Sequence, residues 1–225
     1  MFKRRRIGTV STNMGRSNLG RQGMASKQIV AFDFDGTLSV RDSFLAFLAW
    51  RSGPLAYAAG LASLAPQAVG YLVNPDRGRI KAAAVRAFLR GLGRDELAQA
   101  CAAFAASDQG VRIIRPDAEA SWRRWRGDGA LLAIVTASPE DVVAPFAARL
   151  GADVLIGTRL AFDDAGRVTG AFDGANCRGV EKVRRLQDQF GPDVRLAAAY
   201  GDTAGDREML AIAEVQGYRV FTARH

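Results

Sequence analysis

The chain has 225 residues, of which 48% are hydrophobic and 24% are charged, and these ordinary proportions exclude a wholly disordered, collagen-like or coiled-coil protein. Its formal net charge is +8, but residues 1–27 contain seven basic and no acidic residues, so the remainder of the chain is nearly neutral. The basic character therefore belongs to the N-terminal segment, and we expect no nucleic-acid partner for the folded part.

Residues 1–27 show no apolar periodicity and are rich in Gly, Ser, Asn and Arg. Such a segment buries too little apolar surface to offset the entropy cost of ordering it, so we predict a disordered basic tail. No apolar run of the secretory-signal type follows the basic cluster. Three interpretations stay open: a solvated extension, an extension upstream of a start at Met24, and a polybasic segment attracted to anionic lipid or nucleic acid.

Five short apolar runs predict the strands of a sheet, and they lie at residues 29–32, 131–135, 154–156, 195–200 and 218–221. Runs that are apolar at successive positions are typical of strands buried on both faces of a parallel sheet. Helical patterns occupy 139–150 and 179–190, and residues 160–172 predict a β-hairpin. The order of strands and helices predicts an α/β fold with an open, doubly wound, Rossmann-like parallel sheet.

Residues 33–130 separate the first two predicted strands, far more than one helical crossover needs. Residues 41–115 carry Ala- and Leu-rich helical stretches and no convincing strand. We therefore predict an α-helical cap domain at 41–115, inserted into an α/β core formed by residues 28–40 and 116–225.

Polar residues follow three of the predicted strands, at the sheet edge where ligands bind in such folds. In chain order they are Asp33, Asp35, Thr37, Thr136, Ser138, Asp202 and Asp206, with Lys182 on the helix before the fourth strand. Several carboxylates at one edge need a compensating cation, and an all-oxygen ligand set selects a hard ion such as Mg²⁺. His225 is the only histidine, which excludes a His-based zinc site and a Ser-His-Asp triad.

Mg²⁺, paired aspartates, a lysine and a hydroxyl are together suited to phosphoryl transfer. One carboxylate can attack phosphorus to form an aspartyl-phosphate, while a second carboxyl donates a proton and later accepts one. Lys182, Thr136 and the metal ion would hold the phosphoryl oxygens.

Four segments resemble the motifs of the haloacid dehalogenase-like phosphohydrolases, and they are Asp33-Phe34-Asp35-Gly36-Thr37-Leu38, Val135-Thr136-Ala137-Ser138, Lys182, and Gly201-Asp202 with Asp206. The resemblance covers residues 28–221. It implies that Asp33 is the nucleophile and Asp35 the general acid and base, and that Thr136 and Lys182 bind phosphate. The metal ligands it implies are Asp33, the backbone carbonyl of Asp35, and Asp202, supported by Asp206. The proton donor at Asp35 favours a phosphatase, because cleavage of a carbon–halogen bond needs none there.

The helical insert resembles the cap of the phosphoserine phosphatase-like subgroup, in which an acidic residue nine positions after the nucleophile contacts the substrate amino group. That position is Asp42 here, and Asp42 is also placed to begin a cap helix. Thr136-Ala137-Ser138 replaces the Ser-Gly-Gly turn of that subgroup. We predict substrate contacts from Thr136, Ala137 and Ser138, although Ser138 is also placed to cap the helix that follows it.

Residues 52–75 contain no charged side chain. The segment is long enough to span a membrane, but it is rich in Ala and Gly and contains Pro54 and Pro66, so buried cap helices, a membrane-contacting cap and a true span all stay open. In position and flanking basic residues it also resembles the apolar cap of a bacterial phosphatidylglycerophosphate phosphatase. The predicted substrate is accordingly a phosphoserine-like metabolite or a membrane lipid phosphate.

Two further expectations concern the setting of the protein. Cys101 and Cys177 are too few for a disulfide framework and indicate free thiols in a reducing compartment. We expect a cytoplasmic protein, with or without peripheral membrane contact through residues 52–75. The competing function is a non-catalytic or regulatory protein that keeps the site and only binds phosphorylated ligands.

Overall fold

The computed structural model describes residues 28–64 and 77–224, so the predicted tail at 1–27 lies outside the described residues. Five strands form one sheet: β1 (Ile29–Phe32), β2 (Leu131–Pro139), β3 (Val154–Thr158), β6 (Leu196–Gly201) and β7 (Ala213–Tyr218). They are all parallel and stand in the order β3-β2-β1-β6-β7. The prediction of an open parallel α/β sheet is confirmed.

A separate antiparallel hairpin, β4 (Leu160–Phe162) and β5 (Val168–Phe172), follows β3. The helices are α1 (Ser43–Ser63), α2 (Arg77–Phe88), α3 (Arg94–Ala106), α4 (Asp108–Val111), α5 (Pro116–Gly127), α6 (Glu140–Leu150), α7 (Val180–Phe190) and α8 (Arg207–Ala211). Helices α1 to α4 lie in the predicted insert.

Strand β1 is the centre of the fold because it pairs with β2 on one side and with β6 on the other. Val30, Ala31 and Phe32 are completely buried. Val30 and Phe32 pack into one hydrophobic cluster and Ala31 into another. Both faces of the strand are therefore covered, which explains why its sequence is apolar at successive positions.

The last strand was predicted at 218–221, but it lies at Ala213–Tyr218. Strand β7 is an edge strand and most of its side chains are exposed, so it lacks the apolar pattern of a buried strand. In the run 218–221, Tyr218 and Val220 are exposed, and Phe221 is the residue that packs on the core. The ring of Phe221 lies 5.1 Å from that of Tyr200 and 6.3 Å from that of Phe32.

The insert leaves and rejoins the core through one pair of adjacent backbone segments. Ser39 and Ile114 form an antiparallel bridge, Val40 N donates to Ile113 O (2.8 Å), and Arg115 N donates to Leu38 O (2.8 Å). A second attachment joins the turn between α2 and α3 to the hairpin, where Gly91 N donates to Val168 O at 2.8 Å. These two attachments fix the cap over the carboxyl edge of the sheet.

Helix α1 is bent at Gly53, which has a positive φ of 72° and is followed by Pro54. Proline lacks the backbone N–H that a continuous helix needs, and glycine readily adopts the left-handed conformation at the bend. Within 28–64 and 77–224, no helix is both long enough and apolar enough to cross a membrane. The other part of the uncharged segment, residues 65–75, lies outside the described residues.

Arg115 ties the cap stem to the core, and its loss is expected to destabilise the fold. Its buried guanidinium donates from Nε to Gly36 O (3.3 Å) and Ser39 O (3.2 Å), and from Nη1 to Ala223 O (3.1 Å). Arg115→Met leaves these carbonyls unpaired and should lower the free energy of unfolding by about 1–3 kcal/mol in urea denaturation. Arg112→Met, at an exposed position in the same segment, should change it little. Equal losses in the two variants would contradict this role.

Candidate active site

Asp33 stands directly after β1, where the backbone turns sharply. The turn Phe34–Leu38 is closed by a backbone hydrogen bond that spans five residues, in which Ser39 N donates to Phe34 O at 2.8 Å. Gly36 has a φ of +84°, and a Cβ atom at this position would lie 2.3 Å from Asp202 Oδ2. Glycine is therefore required both by the turn and by the close approach of the Asp202 carboxylate.

The ammonium group of Lys182 lies at the centre of the site. Lys182 belongs to α7 and is 1% exposed. Its Nζ lies 2.7 Å from Asp33 Oδ1, 2.7 Å from Asp206 Oδ1 and 2.6 Å from the backbone oxygen of Val135. The three bonds use the whole donor capacity of an ammonium group, so the position of Lys182 is fixed by three separate elements.

Asp202 and Asp206 belong to the loop after β6. Thr203 N and Thr203 Oγ1 each donate to Asp206 Oδ2 at 2.9 Å, which holds that carboxylate against Lys182. Asp206 also precedes α8, but its side chain makes no capping bond to that helix. Asp202 Oδ1 accepts a bond from Thr37 Oγ1 at 3.3 Å. The hydroxyl of Thr37 therefore links the first motif to the fourth.

Burial sets the electrostatics of this group. It raises the pKa of Asp33 to about 7, against the opposing effect of Lys182. Burial and then the neighbouring Asp206 raise the pKa of Asp202. Burial disfavours a charged Lys182, but the attraction of Asp33 and then Asp206 outweighs it and raises the pKa of Lys182. Burial also disfavours a charged Asp206, but Lys182 and the bonds from Thr203 outweigh it and lower the pKa of Asp206.

The arrangement fits a divalent cation. Carboxylate oxygens of Asp33, Asp202 and Asp206 lie within 4.8 Å of one another. Two oxygens on one octahedral Mg²⁺ are separated by at most about 4.2 Å, because each bond is about 2.1 Å long, so only a small contraction is needed. Three carboxylates and one ammonium leave a net charge of −2 when all are ionised. An all-oxygen set of this charge suits Mg²⁺.

The side chain of Asp35 points away from this group and towards the cap. Its Oδ1 accepts a bond from Ser43 N at 2.7 Å, and its Oδ2 accepts a short bond from the hydroxyl of Ser138. Since Ser43 is the first residue of α1, the cap itself positions this carboxyl. The structure thus separates Asp35 from Asp33, Asp202 and Asp206, and any contribution of Asp35 to a metal site would come from its backbone carbonyl.

The three residues of the second motif have different surroundings. Thr136 and Ala137 line a cavity of about 460 Å³, and Thr136 Oγ1 accepts a bond from Ser138 N at 3.1 Å. Ser138 is fully buried and is not among the residues that line the cavity. It also does not cap α6, because its hydroxyl is engaged by Asp35. The capping role that the sequence allowed is therefore wrong.

The cap closes the cavity from the other side with Asp42 and Lys81, which lie 4.0 Å apart. Asp42 Oδ1 accepts a bond from Leu45 N at 2.8 Å, so Asp42 caps α1 and lines the cavity at the same time. Burial and then the nearby Asp35 raise the pKa of Asp42. The remaining cap wall is apolar and consists of Phe44, Leu45, Ile80 and Ala84.

Two cations that line the cavity were missed from the sequence. Lys81 Nζ donates to Ser138 Oγ at 3.2 Å and to Ala137 O at 3.4 Å. Arg178 lines the cavity on the side of the core, and its Nη1 lies 3.4 Å from Thr203 Oγ1. A pattern within one helix does not reveal which basic residue faces a cavity formed by another element.

Comparisons with known proteins agree with this fold. The sequence model of the family described as haloacid dehalogenase-like hydrolase matches residues 30–211. "Protein CicA" of Caulobacter vibrioides is 56% identical over 196 residues, which cover 87% of each chain.

Two solved structures show the same architecture. A protein with unknown function from Bordetella pertussis Tohama I has a TM-score of 0.66 at 24% identity, over 82% of this chain and 86% of that one. A phospho-aspartyl intermediate analogue of phosphoserine phosphatase has a TM-score of 0.54 at 23% identity, over 83% of each chain. At these identities the likeness concerns the fold.

Gly36→Ala should disrupt the acidic group, because the new methyl would collide with the Asp202 carboxylate. The matched control is Gly174→Ala, whose φ of +83° is nearly the same but whose Cβ would meet nothing within 4 Å. The free energy of unfolding should fall by about 1–2 kcal/mol in both variants, because a residue with a Cβ atom is strained in left-handed backbone. Mg²⁺ is expected to raise the Tm of the unmodified protein, and only Gly36→Ala should also lose that increase. An equal Mg²⁺ response in both variants would refute this arrangement.

Proposed function

Because this chain belongs to the haloacid dehalogenase-like hydrolase family, we propose that it is a Mg²⁺-dependent phosphomonoester hydrolase that acts through an aspartyl-phosphate on Asp33. The observation that carries the proposal is the buried contact of Asp33 with Lys182, beside two further carboxylates at the bottom of one cavity. A phosphoserine phosphatase of the same fold has been captured as a phospho-aspartyl intermediate analogue. That observation concerns the other protein, and it supports the proposal of the same covalent chemistry here.

In the proposed reaction, the Asp33 carboxylate attacks phosphorus and the bond from phosphorus to the leaving oxygen breaks. Lys182 holds Oδ1 of Asp33, which orients the carboxylate and leaves Oδ2 for the attack. Asp35 gives its proton to the leaving oxygen. It then takes a proton from the water that attacks the phosphoenzyme, and the products are inorganic phosphate and free Asp33.

A bound Mg²⁺ would supply positive charge next to the phosphoryl oxygens, and Asp33 and Asp202 would hold it with the Asp35 carbonyl and the support of Asp206. Thr136 lines the cavity beside these groups and offers its hydroxyl to the phosphoryl group. Ser43 N and the Ser138 hydroxyl hold the Asp35 carboxyl in a fixed orientation. This fixed orientation lowers the barrier to proton transfer, because an acid that is already positioned loses little entropy in the transition state.

Two features of the cavity favour two substrate classes. The carboxylate of Asp42 and the ammonium of Lys81 are adjacent, which suits the ammonium and carboxylate of a phosphorylated amino acid such as phosphoserine. The apolar wall of Phe44, Leu45 and Ile80 suits the glycerolipid part of a lipid phosphate such as phosphatidylglycerophosphate.

The covalent intermediate can be trapped by slowing its hydrolysis. Asp35→Asn with p-nitrophenyl phosphate should release a stoichiometric burst of p-nitrophenol, because this good leaving group needs little protonation. Mass spectrometry should then find one phosphoryl group on the peptide that contains Asp33. Asp33→Asn should show neither signal and should lose about 10³-fold or more in kcat/KM. Turnover that persists in Asp33→Asn would overturn the mechanism, and phosphate binding without any turnover would favour a non-catalytic protein.

The substrate classes are separated by a phosphate-release panel of phosphoserine, sugar phosphates, nucleotides and detergent-solubilised phosphatidylglycerophosphate. If an amino acid is the substrate, Lys81→Met should raise KM for phosphoserine by about tenfold or more, because it removes a charge-assisted contact. If a lipid is the substrate, phosphatidylglycerophosphate should have the highest kcat/KM and Ile80→Asn should reduce it selectively. No preference for either compound would contradict both assignments.

A further inference from the structure

The ammonium group of Lys182 has no donor left for a substrate. Its Nζ is bonded to Asp33 Oδ1, to Asp206 Oδ1 and to the backbone oxygen of Val135. An ammonium group has three N–H donors, so a phosphoryl oxygen could accept a bond from Lys182 only if one of these three bonds were broken. The phosphate contact that the family resemblance implies for Lys182 therefore competes with its hold on Asp33.

The cations that line the cavity differ in their partners. Lys182 forms ion pairs with two carboxylates at 2.7 Å, and Lys81 lies 4.0 Å from Asp42. Arg178 lines the same cavity and is half-buried, but within 28–64 and 77–224 it has no carboxylate partner within 4.0 Å. Its guanidinium is therefore the cation of this cavity whose charge is still available to an anion.

The hydrogen bonds of Arg178 lead to the same conclusion. Among the described residues its side chain makes one hydrogen bond, from Nη1 to Thr203 Oγ1 at 3.4 Å. A guanidinium group has five N–H donors, so four of them remain for a ligand in the cavity. Withdrawing a charge from water without a partner costs free energy, and an anion bound in the cavity would offset that cost.

The surrounding backbone places Arg178 at the level of the acidic group. Gly179 N donates to Gly205 O at 2.9 Å, which joins the start of α7 to the loop 202–206. A Cβ atom at Gly205 would lie 2.4 Å from Nη1 and 2.7 Å from Cγ of Arg178, so the missing side chain lets the arginine lie against this loop. Arg178 therefore borders the bottom of the cavity, whereas Lys81 reaches the cavity from the cap.

We propose that Arg178 binds the phosphoryl group of the substrate and that Lys182 serves to hold the nucleophile Asp33. The assignment rests on the proposed function, since it adds a ligand for the same phosphoryl group. Arginine suits this role because its planar donors can bind two phosphoryl oxygens at once. A divalent cation would neutralise the acidic group together with Lys182, which leaves Arg178 as the positive charge that meets the incoming dianion.

The geometry of the site distinguishes the phosphoryl group from the carboxylate of a phosphorylated amino acid. In-line attack by Asp33 puts the leaving oxygen on the far side of phosphorus, where Asp35 would protonate it. The carboxyl of Asp35 is held by the amide of Ser43 in the cap, so the leaving group extends towards the cap. Arg178 lies beside the loop 202–206 instead, and the part of the substrate at that level is the phosphoryl group.

The direct test is a calorimetric titration of inorganic phosphate into the full chain with Mg²⁺, which measures binding without turnover. Arg178→Met should raise the Kd for phosphate by about tenfold to a hundredfold, because it removes a charge-assisted contact. Arg178→Lys should keep part of the affinity, since it retains the charge but not the planar donors. The matched control is Arg184→Met, which removes the same charge from an exposed position of α7 outside the cavity and should leave the Kd unchanged.

Three results of this titration would overturn the proposal. They are an unchanged Kd in Arg178→Met, an equal rise in Arg184→Met, and no phosphate binding by the unmodified protein. If phosphate binds and the binding depends on Arg178, but the unmodified protein turns over no phosphomonoester, the contact stands and the hydrolase function fails.

Kinetics separate the phosphoryl group from a second anionic group of the substrate. The phosphoryl group is the only anionic group of p-nitrophenyl phosphate, whereas phosphoserine also carries a carboxylate. Arg178→Met should lower kcat/KM for both compounds by a similar factor of about tenfold or more. A loss confined to phosphoserine would assign Arg178 to the carboxylate and refute the proposal.

Chemical rescue separates the contact from an effect on folding. In Arg178→Ala, added guanidinium ion should restore phosphate binding with a saturable dependence, at concentrations well below those that unfold proteins, and sodium chloride of equal ionic strength should not. The Tm without phosphate should change little, because the one hydrogen bond that Arg178 makes is long. Absence of any rescue in a folded Arg178→Ala protein would contradict the proposal. If Arg178→Ala does not fold, the Kd of Arg178→Lys decides, and a value equal to that of the unmodified protein would contradict the role of the planar donors.

Discussion

The buried bond network around Lys182 is the constraint on which the rest of the structure depends. An ammonium and two carboxylates, all nearly inaccessible to water, are stable only when every charge has a partner with good geometry. Asp33 and Lys182 are 149 residues apart in sequence, so their contact exists only when β1 and α7 are both in place. The same contact orients the carboxylate that we propose as the nucleophile.

The sheet topology explains why these groups meet. Strand β1 lies between β2 and β6, and all three are parallel, so their carboxyl ends open on the same edge. Asp33, Val135 and the loop at Asp202 therefore converge at this edge, where Lys182 contacts Asp33, the Val135 oxygen and Asp206. Gly36 completes the arrangement because only a residue without a side chain allows the Asp202 carboxylate to come so close.

The cap closes the cavity over the core site. Its attachment near Ser39 and Ile114 positions the first turn of α1, whose Ser43 amide holds Asp35. The inner sides of α1 and α2 bring Asp42, Lys81 and an apolar wall to the cavity.

The sequence by itself determined the buried strands and the acidic residues that follow them, since a strand covered on both faces is apolar at successive positions and its functional residues stand directly at its end. It did not determine β7, because an exposed edge strand has no such pattern. It also did not reveal that Lys81 lines the cavity or that Ser138 contacts Asp35. Both have ordinary local contexts, and their roles come from groups far away in the chain: Lys81 meets the second motif across the cavity, and Ser138 donates to Asp35. Only the packing of the cap on the core decided those contacts, because it brings together side chains that no sequence spacing relates.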